Sequence, residues 1–368
     1  MQIQKIKNKA NGFSVVEACV ILFVLVAISA IGFYILQVRN VNATVHARVG
    51  SNTSWTALAI SADGSKLFGA QDYIYTSSNR GQTWSPQKAP GSQGAWVNIA
   101  SSASGSELMA ITRNKLLTSD DGGSTWSDRT YTGFGLNSIE WDSIAVSADG
   151  KDFIAGGSEG GGSGMYISYD SGNSWHDLNQ PYAPKTFSAP ASITLSNGAR
   201  KIVVATSIGD IFISTDGGHS WTDQETAGVR EWTSIASSAD GEHIIATYAG
   251  STVYSSKYSA GFSGNDNGGV YISYDGGKSW DRQSSFKSGN WISGGISSDG
   301  KIMVVASNES DSKGARISVD GGKTWHAPKG IPVHDIYITA LSANGKVLAL
   351  GSYSNGNVWV VNPLAVTQ

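Results

Sequence analysis

The sequence predicts an all-β fold, a seven-bladed β-propeller of four-stranded sheets, preceded by one N-terminal transmembrane α-helix. Three observations carry this reading. A stretch of the form seen at Ile272 to Trp280 recurs six times, ending at Trp84, Trp126, Trp175, Trp221, Trp280 and Trp325, with Ser seven, Asp or Asn five and Gly three residues before each Trp. A second unit, an apolar strand ending in Ser and then a tight turn, recurs seven times. Ahead of both, Ala18 to Leu36 is a 19-residue run without a charge, behind a leader bearing Lys5, Lys7 and Lys9. Repeats of 20–50 residues mark propellers and solenoids.

Taken in order, residues 1–12 read as a basic leader and 13–42 as a membrane-spanning helix. A hydrocarbon core needs about 20 apolar residues, and the lysines favour a cytoplasmic start, with the rest facing outward. The segment Gly12-Phe13-Ser14-Val15-Val16-Glu17 adds a lone carboxylate near the start of the apolar helix, where an unpartnered charge is costly. It resembles the type IV pilin and pseudopilin leader. That resemblance implies cleavage after Gly12 by a prepilin peptidase, Phe13 as the methylated first residue, Glu17 as the fifth, and contact with other pilin-like subunits. A plain anchor and a cleaved secretory signal, with Val45-His46-Ala47 as its cleavage site, are the other readings. Pilins continue into a long amphipathic helix, whereas this chain turns strand-like by about residue 44.

Residues 43–368 hold the propeller. Each unit opens on an apolar strand led in five copies by Trp55, Trp96, Trp141, Trp232 or Trp291. Asp-Gly or Asn-Gly then supplies a hairpin turn, as at Asp63-Gly64 and Asn344-Gly345. A second strand follows, such as Lys201 to Ala205, then a variable loop and a third strand, such as Val270 to Ile272. The nine-residue stretch turns the chain again, since Asp bonds backbone amides two residues on and Gly tolerates positive φ. The seventh unit ends without this stretch and without a fourth strand, so residues 43–50 are expected to complete the last blade. The inner-strand tryptophans read either as packing between blades or as an aromatic rim for a ligand.

The nine-residue stretch resembles the Asp-box, or BNR, repeat of sialidases, two-domain xyloglucanases, photosystem II assembly-factor propellers and sortilin-type receptors. The resemblance covers about 76–325 and implies architecture, since one fold hosts many functions. It makes Asn79, Trp84, Asp121, Trp126, Asp170, Trp175, Asp216, Trp221, Asp275, Trp280, Asp320 and Trp325 structural residues. Sialidases grip their substrate with three arginines, yet only Arg113 and Arg230 fall on the loop face; Arg80, Arg200 and Arg316 do not, and no Arg-Ile-Pro segment is present. Xyloglucanases use paired carboxylates, for which Glu140, Asp142, Glu231 and Asp335 are candidates.

Composition narrows the rest. Charged residues are 15% of the chain and the net charge is −3, which gives no footprint for nucleic acid. The single cysteine, Cys19, excludes an intramolecular disulfide and a Cys-based zinc site. The six histidines show no metal-ligand spacing, and no metal or other cofactor is implied. Two long loops stand on the variable face: Gly156 to Gly164, read as a flexible glycine loop, and Tyr248 to Gly269. The candidate ligand-binding residues are therefore Tyr248, Tyr254, Tyr258, Asp266, Arg113 and Arg230, suited to a glycan or an exposed peptide. The expected role is that of a membrane-anchored, extracytoplasmic binding protein at the cell surface, an adhesin or minor pilin. The competing roles are a surface-anchored glycoside hydrolase and an assembly factor for a membrane complex.

Overall fold

The computed structural model describes residues 45–49, 54–90, 96–130, 139–159, 162–178, 190–196, 200–207, 209–250, 268–286, 289–308, 314–331 and 336–367. The chain divides into two units, residues 1–43 and 44–368. Gly12, Phe13, Glu17 and the apolar run 18–36 lie outside the described residues, as do Tyr254, Tyr258, Asp266 and Asp335. Among the described residues no helix is long and apolar enough to cross a membrane.

The second unit is a seven-bladed propeller. In the third blade, Ile139–Val146, Phe153–Glu159, Gly162–Ser168 and His176–Asp177 pair antiparallel in sequence order. Five further sheets are four-stranded, and the sixth blade has three strands plus an Ile317–His326 bridge where a fourth would run. Ring closure joins the two ends of this unit. Val45–Arg48 is the outer strand of the seventh sheet, with Val45 opposite Val360 and Arg48 opposite Asn357. The inner strands pack in sequence around the ring, and Ala57–Ile60 meets Ile336–Leu341, so every sheet is covered on both faces.

The core lies between blades. Trp232 packs with Val203, Ile211 and Ile213 of the preceding blade and with Tyr248 and Tyr271 of its own. Trp55, Trp96, Trp141, Trp232 and Trp291 are all at most 3% exposed, which decides for packing and against an aromatic rim. The indole N–H of Trp55 donates to the Gly356 carbonyl and that of Trp232 to the Gly209 carbonyl, fastening each to the loop of the blade before it.

The Asp boxes are closed hydrogen-bond rings. In the fifth, Ser273 Oγ donates to Asp275 Oδ1, the Gly277 amide donates to Ser273 Oγ, and the Ser279 amide and hydroxyl donate to the two Asp275 oxygens. Trp280 Nε1 donates to the Gly277 carbonyl. The Ser or Thr just before each Trp thus belongs to the motif, a regularity the sequence displays at Thr83, Thr125, Ser174, Ser220, Ser279 and Thr324. These bonds, with the Ser279 and Ser220 hydroxyls foremost, hold Asp275 and Asp216 down to about 2. A carboxylate depressed in the folded state stabilises it above the unfolded value and loses that contribution as pH falls through the folded one. Stability is therefore expected to fall between about pH 4 and pH 2, and the acid limb of a denaturation series to shallow in Asp275→Asn, which keeps the acceptor as Asn79 does in the first box.

Two boxes place a non-glycine residue in the left-handed region, Arg80 at φ 58° and Ser171 at φ 57°, where others have Gly. Arg80→Gly is expected to raise stability by about 1 kcal/mol or less, read from the urea midpoint.

The hairpin turns between first and second strands repeat a second ring: Ser147 Oγ donates to Asp149 and accepts from the Asp152 amide. In the sixth blade Ser297 takes this role. The residue closing each ring, Lys66, Glu107, Lys201, His243, Ile302 or Val347, packs against the turn glycine of the next blade.

Candidate functional site

The first strand of each blade runs from the variable-loop face to the Asp-box face, so its opening residues rim the ring on the loop face. In six blades the register slips by one at the second position, after Trp96, Trp141, Pro190, Trp232, Trp291 and Ile336. A bulge leaves one residue without a cross-strand partner and re-aims its side chain. The six bulged residues, Val97, Asp142, Ala191, Thr233, Ile292 and Tyr337, are all half-buried, directly after a buried one. They form a rim that is apolar at three positions and polar at three. A spacing in the sequence announces it: Trp96 and Ile99, Trp141 and Ile144, Trp232 and Ile235 stand three apart, where uninterrupted alternation would put inward residues two or four apart.

Around Asp142 the rim is charged. Arg113 occupies the turn between Leu108–Thr112 and Lys115–Ser119 of the second blade, and its carbonyl accepts the Trp141 amide at 2.9 Å. Its Nη1 lies 3.6 Å from Glu140 and 3.5 Å from Asp142. Ser158 Oγ donates to Asp142 at 3.4 Å. Burial pushes the Asp142 carboxyl above its usual value, opposed by the Arg113 charge. Arg113 and Glu140 are 67% and 68% exposed, so the pair adds little stability. The cluster presents polar groups at the rim.

The sequence pattern sets Tyr248 and Arg230 among the expected ligand-binding residues. The structure puts Tyr248 at the end of Ile244–Tyr248, 2% exposed, edge-on to Trp232 at 5.7 Å. Arg230 stacks 4.9 Å from the ring centroids of both Tyr248 and Tyr271 and donates to the Tyr271 hydroxyl at 2.6 Å. Its backbone pairs with Gly209 of the preceding blade. Tyr248 is therefore core and Arg230 a clip between two blades, because the alternation of Ile244–Tyr248 continues inward one residue beyond the apolar run. The glycine stretch after Ala155 is also reassigned. Gly156 and Gly157 are strand, opposite Ser143 and Trp141 across the bulge, and Gly162 and Gly164 lie in the third strand.

An aromatic pair that sequence reasoning missed stands on the same face. Tyr353, in the loop after Leu348–Ser352, is 54% exposed and stacks on the bulged Tyr337 at 4.8 Å. Among the described residues no group of three or more His, Cys, Asp or Glu is placed to hold a metal.

Comparison with known proteins agrees with the fold. A family model for the photosynthesis system II assembly factor YCF48 matches residues 99–263, and a BNR/Asp-box repeat model matches residues 316–327. The first span includes Arg113, Glu140, Asp142 and Arg230. No curated protein matches the chain. Solved propellers share the fold at low identity. YCF48 bound to D1 peptide is 14% identical with a TM-score of 0.63, over 87% of this chain and 97% of that one. YCF48 from Cyanidioschyzon merolae is 15% identical with a TM-score of 0.62, over 88% and 99%. The GH74 xyloglucanase from Xanthomonas campestris is 15% identical with a TM-score of 0.63, over 88% of this chain and 54% of that one, so the chain spans about half its length.

Proposed function

We propose that the propeller holds a segment of a partner protein across the rim of its loop face, in the manner of an assembly factor. The observation that carries this reading is the match of the assembly-factor model to residues 99–263, whose structural counterpart binds a peptide. The rim suits such a ligand. Tyr337 and Tyr353 offer an aromatic anchor of the kind that dominates interfaces, and Glu140, Asp142 and Arg113 offer charges of both signs to flanking groups. The weighting drawn from sequence, with an adhesin first, is thereby reversed. The hydrolase reading has against it that one guanidinium nitrogen already lies within 3.6 Å of both Glu140 and Asp142.

The pilin-like leader, cleavage after Gly12, and the span 18–36 with the propeller outside the cytoplasm remain parts of the proposal, supported by sequence alone. The test of the loop-face reading is a random-peptide display screen against the full-length chain in detergent micelles. Enriched peptides are expected to bind the Tyr353→Ala variant at least tenfold more weakly, about 1.4 kcal/mol, and to bind Ser78→Ala, on the Asp-box face, unchanged. Failure to enrich any peptide, or equal loss in both variants, rejects the rim as the site.

A further inference from the structure

We propose that the Asp-box face carries a second ligand site, between the third and fourth blades, that binds a carboxylate-bearing sugar. It is separate from the loop-face reading and stands or falls independently of it.

The site is a cleft of about 480 Å³ lined by Asp152, Tyr169, Arg200, Asp216 and His219 among others, within the range of about 300–1,000 Å³ usual for small-molecule sites. The repeat sets this seam apart at one position. Asp152 closes the hairpin ring of the third blade through its bonds to Ser147. In the other six blades that position holds Lys66, Glu107, Lys201, His243, Ile302 or Val347. Asp152 is the smallest of the seven, and the cleft lies beside it.

The charges in the cleft are not spent on each other. The Asp152 carboxylate is half-buried and makes no hydrogen bond with the described residues; burial, with Asp149 nearby, raises it above its usual value, opposed by the Lys151 charge. The Arg200 guanidinium is exposed and likewise has no such partner among them. Asp216, by contrast, is occupied by Ser214 and Ser220. Two opposite charges that share a cleft without pairing are each available to a third party. Tyr169 supplies the wall. It is 45% exposed, and its hydroxyl donates to the Gly217 carbonyl at 3.4 Å, which fixes the ring's orientation.

These groups suit such a ligand. A guanidinium takes a carboxylate, an unpartnered carboxylate accepts from hydroxyls, and an aromatic wall packs on the C–H face of a pyranose. An acidic peptide meets Arg200 equally well but brings like charge toward Asp152, whereas sugar hydroxyls do not.

The test is saturation-transfer NMR on the full-length chain in detergent micelles, with glucuronate and galacturonate as probes and glucose and free glutamate as controls. Binding of at least one uronate is expected, at least tenfold weaker in Arg200→Gln and lost in Asp152→Ile. The second variant puts there the residue type of Ile302, which packs against Gly345, so its melting temperature is expected to stay at or above that of the parent. Lack of binding by either uronate, equal binding by glutamate or glucose, or undiminished binding in a folded Asp152→Ile would each overturn the proposal.

Discussion

Replacing Trp232 with Ala is expected to destabilise the propeller by about 3–5 kcal/mol, the range for removing a buried aromatic side chain from a packed core. The ring is 1% exposed and lies at the seam of the fourth and fifth blades. It meets Tyr248 and Tyr271 edge-on, each at 5.7 Å, and Arg230 lies over both tyrosines. Truncation removes more than apolar contact, because the indole N–H also ties down the Gly209 carbonyl. The Gly209 loop and Arg230 keep their backbone pair. Urea denaturation followed by far-ultraviolet circular dichroism reads the loss. A cost below about 1 kcal/mol would mean that the seam is not the core described above.

Gly157→Ala is expected to cost about 1–3 kcal/mol and also to weaken partner binding, because it acts on the bulge that carries Asp142. A Cβ at Gly157 would meet the Glu140 carbonyl oxygen at 2.1 Å and the Trp141 Cα at 2.9 Å. Those contacts are backbone, so the clash is relieved only by moving Ile139–Val146 away from Phe153–Glu159. That movement carries Glu140 and Asp142 off Arg113. The expected signature is a coupled loss, a lower urea midpoint together with at least a tenfold weaker affinity for a peptide selected on the parent. Affinity loss without destabilisation, or the reverse, would separate the bulge from the rim.

The architecture was legible in the sequence because each part of the repeat has a local cause. Asp275 must accept two donors from Ser279, and Gly276 and Gly277 must take positive φ. Such requirements recur at fixed spacing whatever the blades do. What was not legible depends on where a repeat unit meets its neighbour. Tyr248 ends an apolar strand and begins a polar stretch, and only the adjacent blade decides that it turns inward under Arg230. The stacking of Tyr353 on Tyr337 joins residues 16 apart in sequence across a bulge, and neither carries a motif. Arg200 and His219 stand 19 apart in sequence, and only the folded blades set them with Asp152 in one cleft.

The measurement that bears most directly on the loop-face account is site-specific photocrosslinking in native membranes, with the reactive residue at Tyr353 or, as the opposite-face control, at Ser78, and adducts identified by mass spectrometry. The account predicts one recurrent protein segment crosslinked at Tyr353, absent at Ser78, and lost when Gly157→Ala is added. Adducts confined to Ser78, or adducts at Tyr353 that are glycan and not protein, would contradict it.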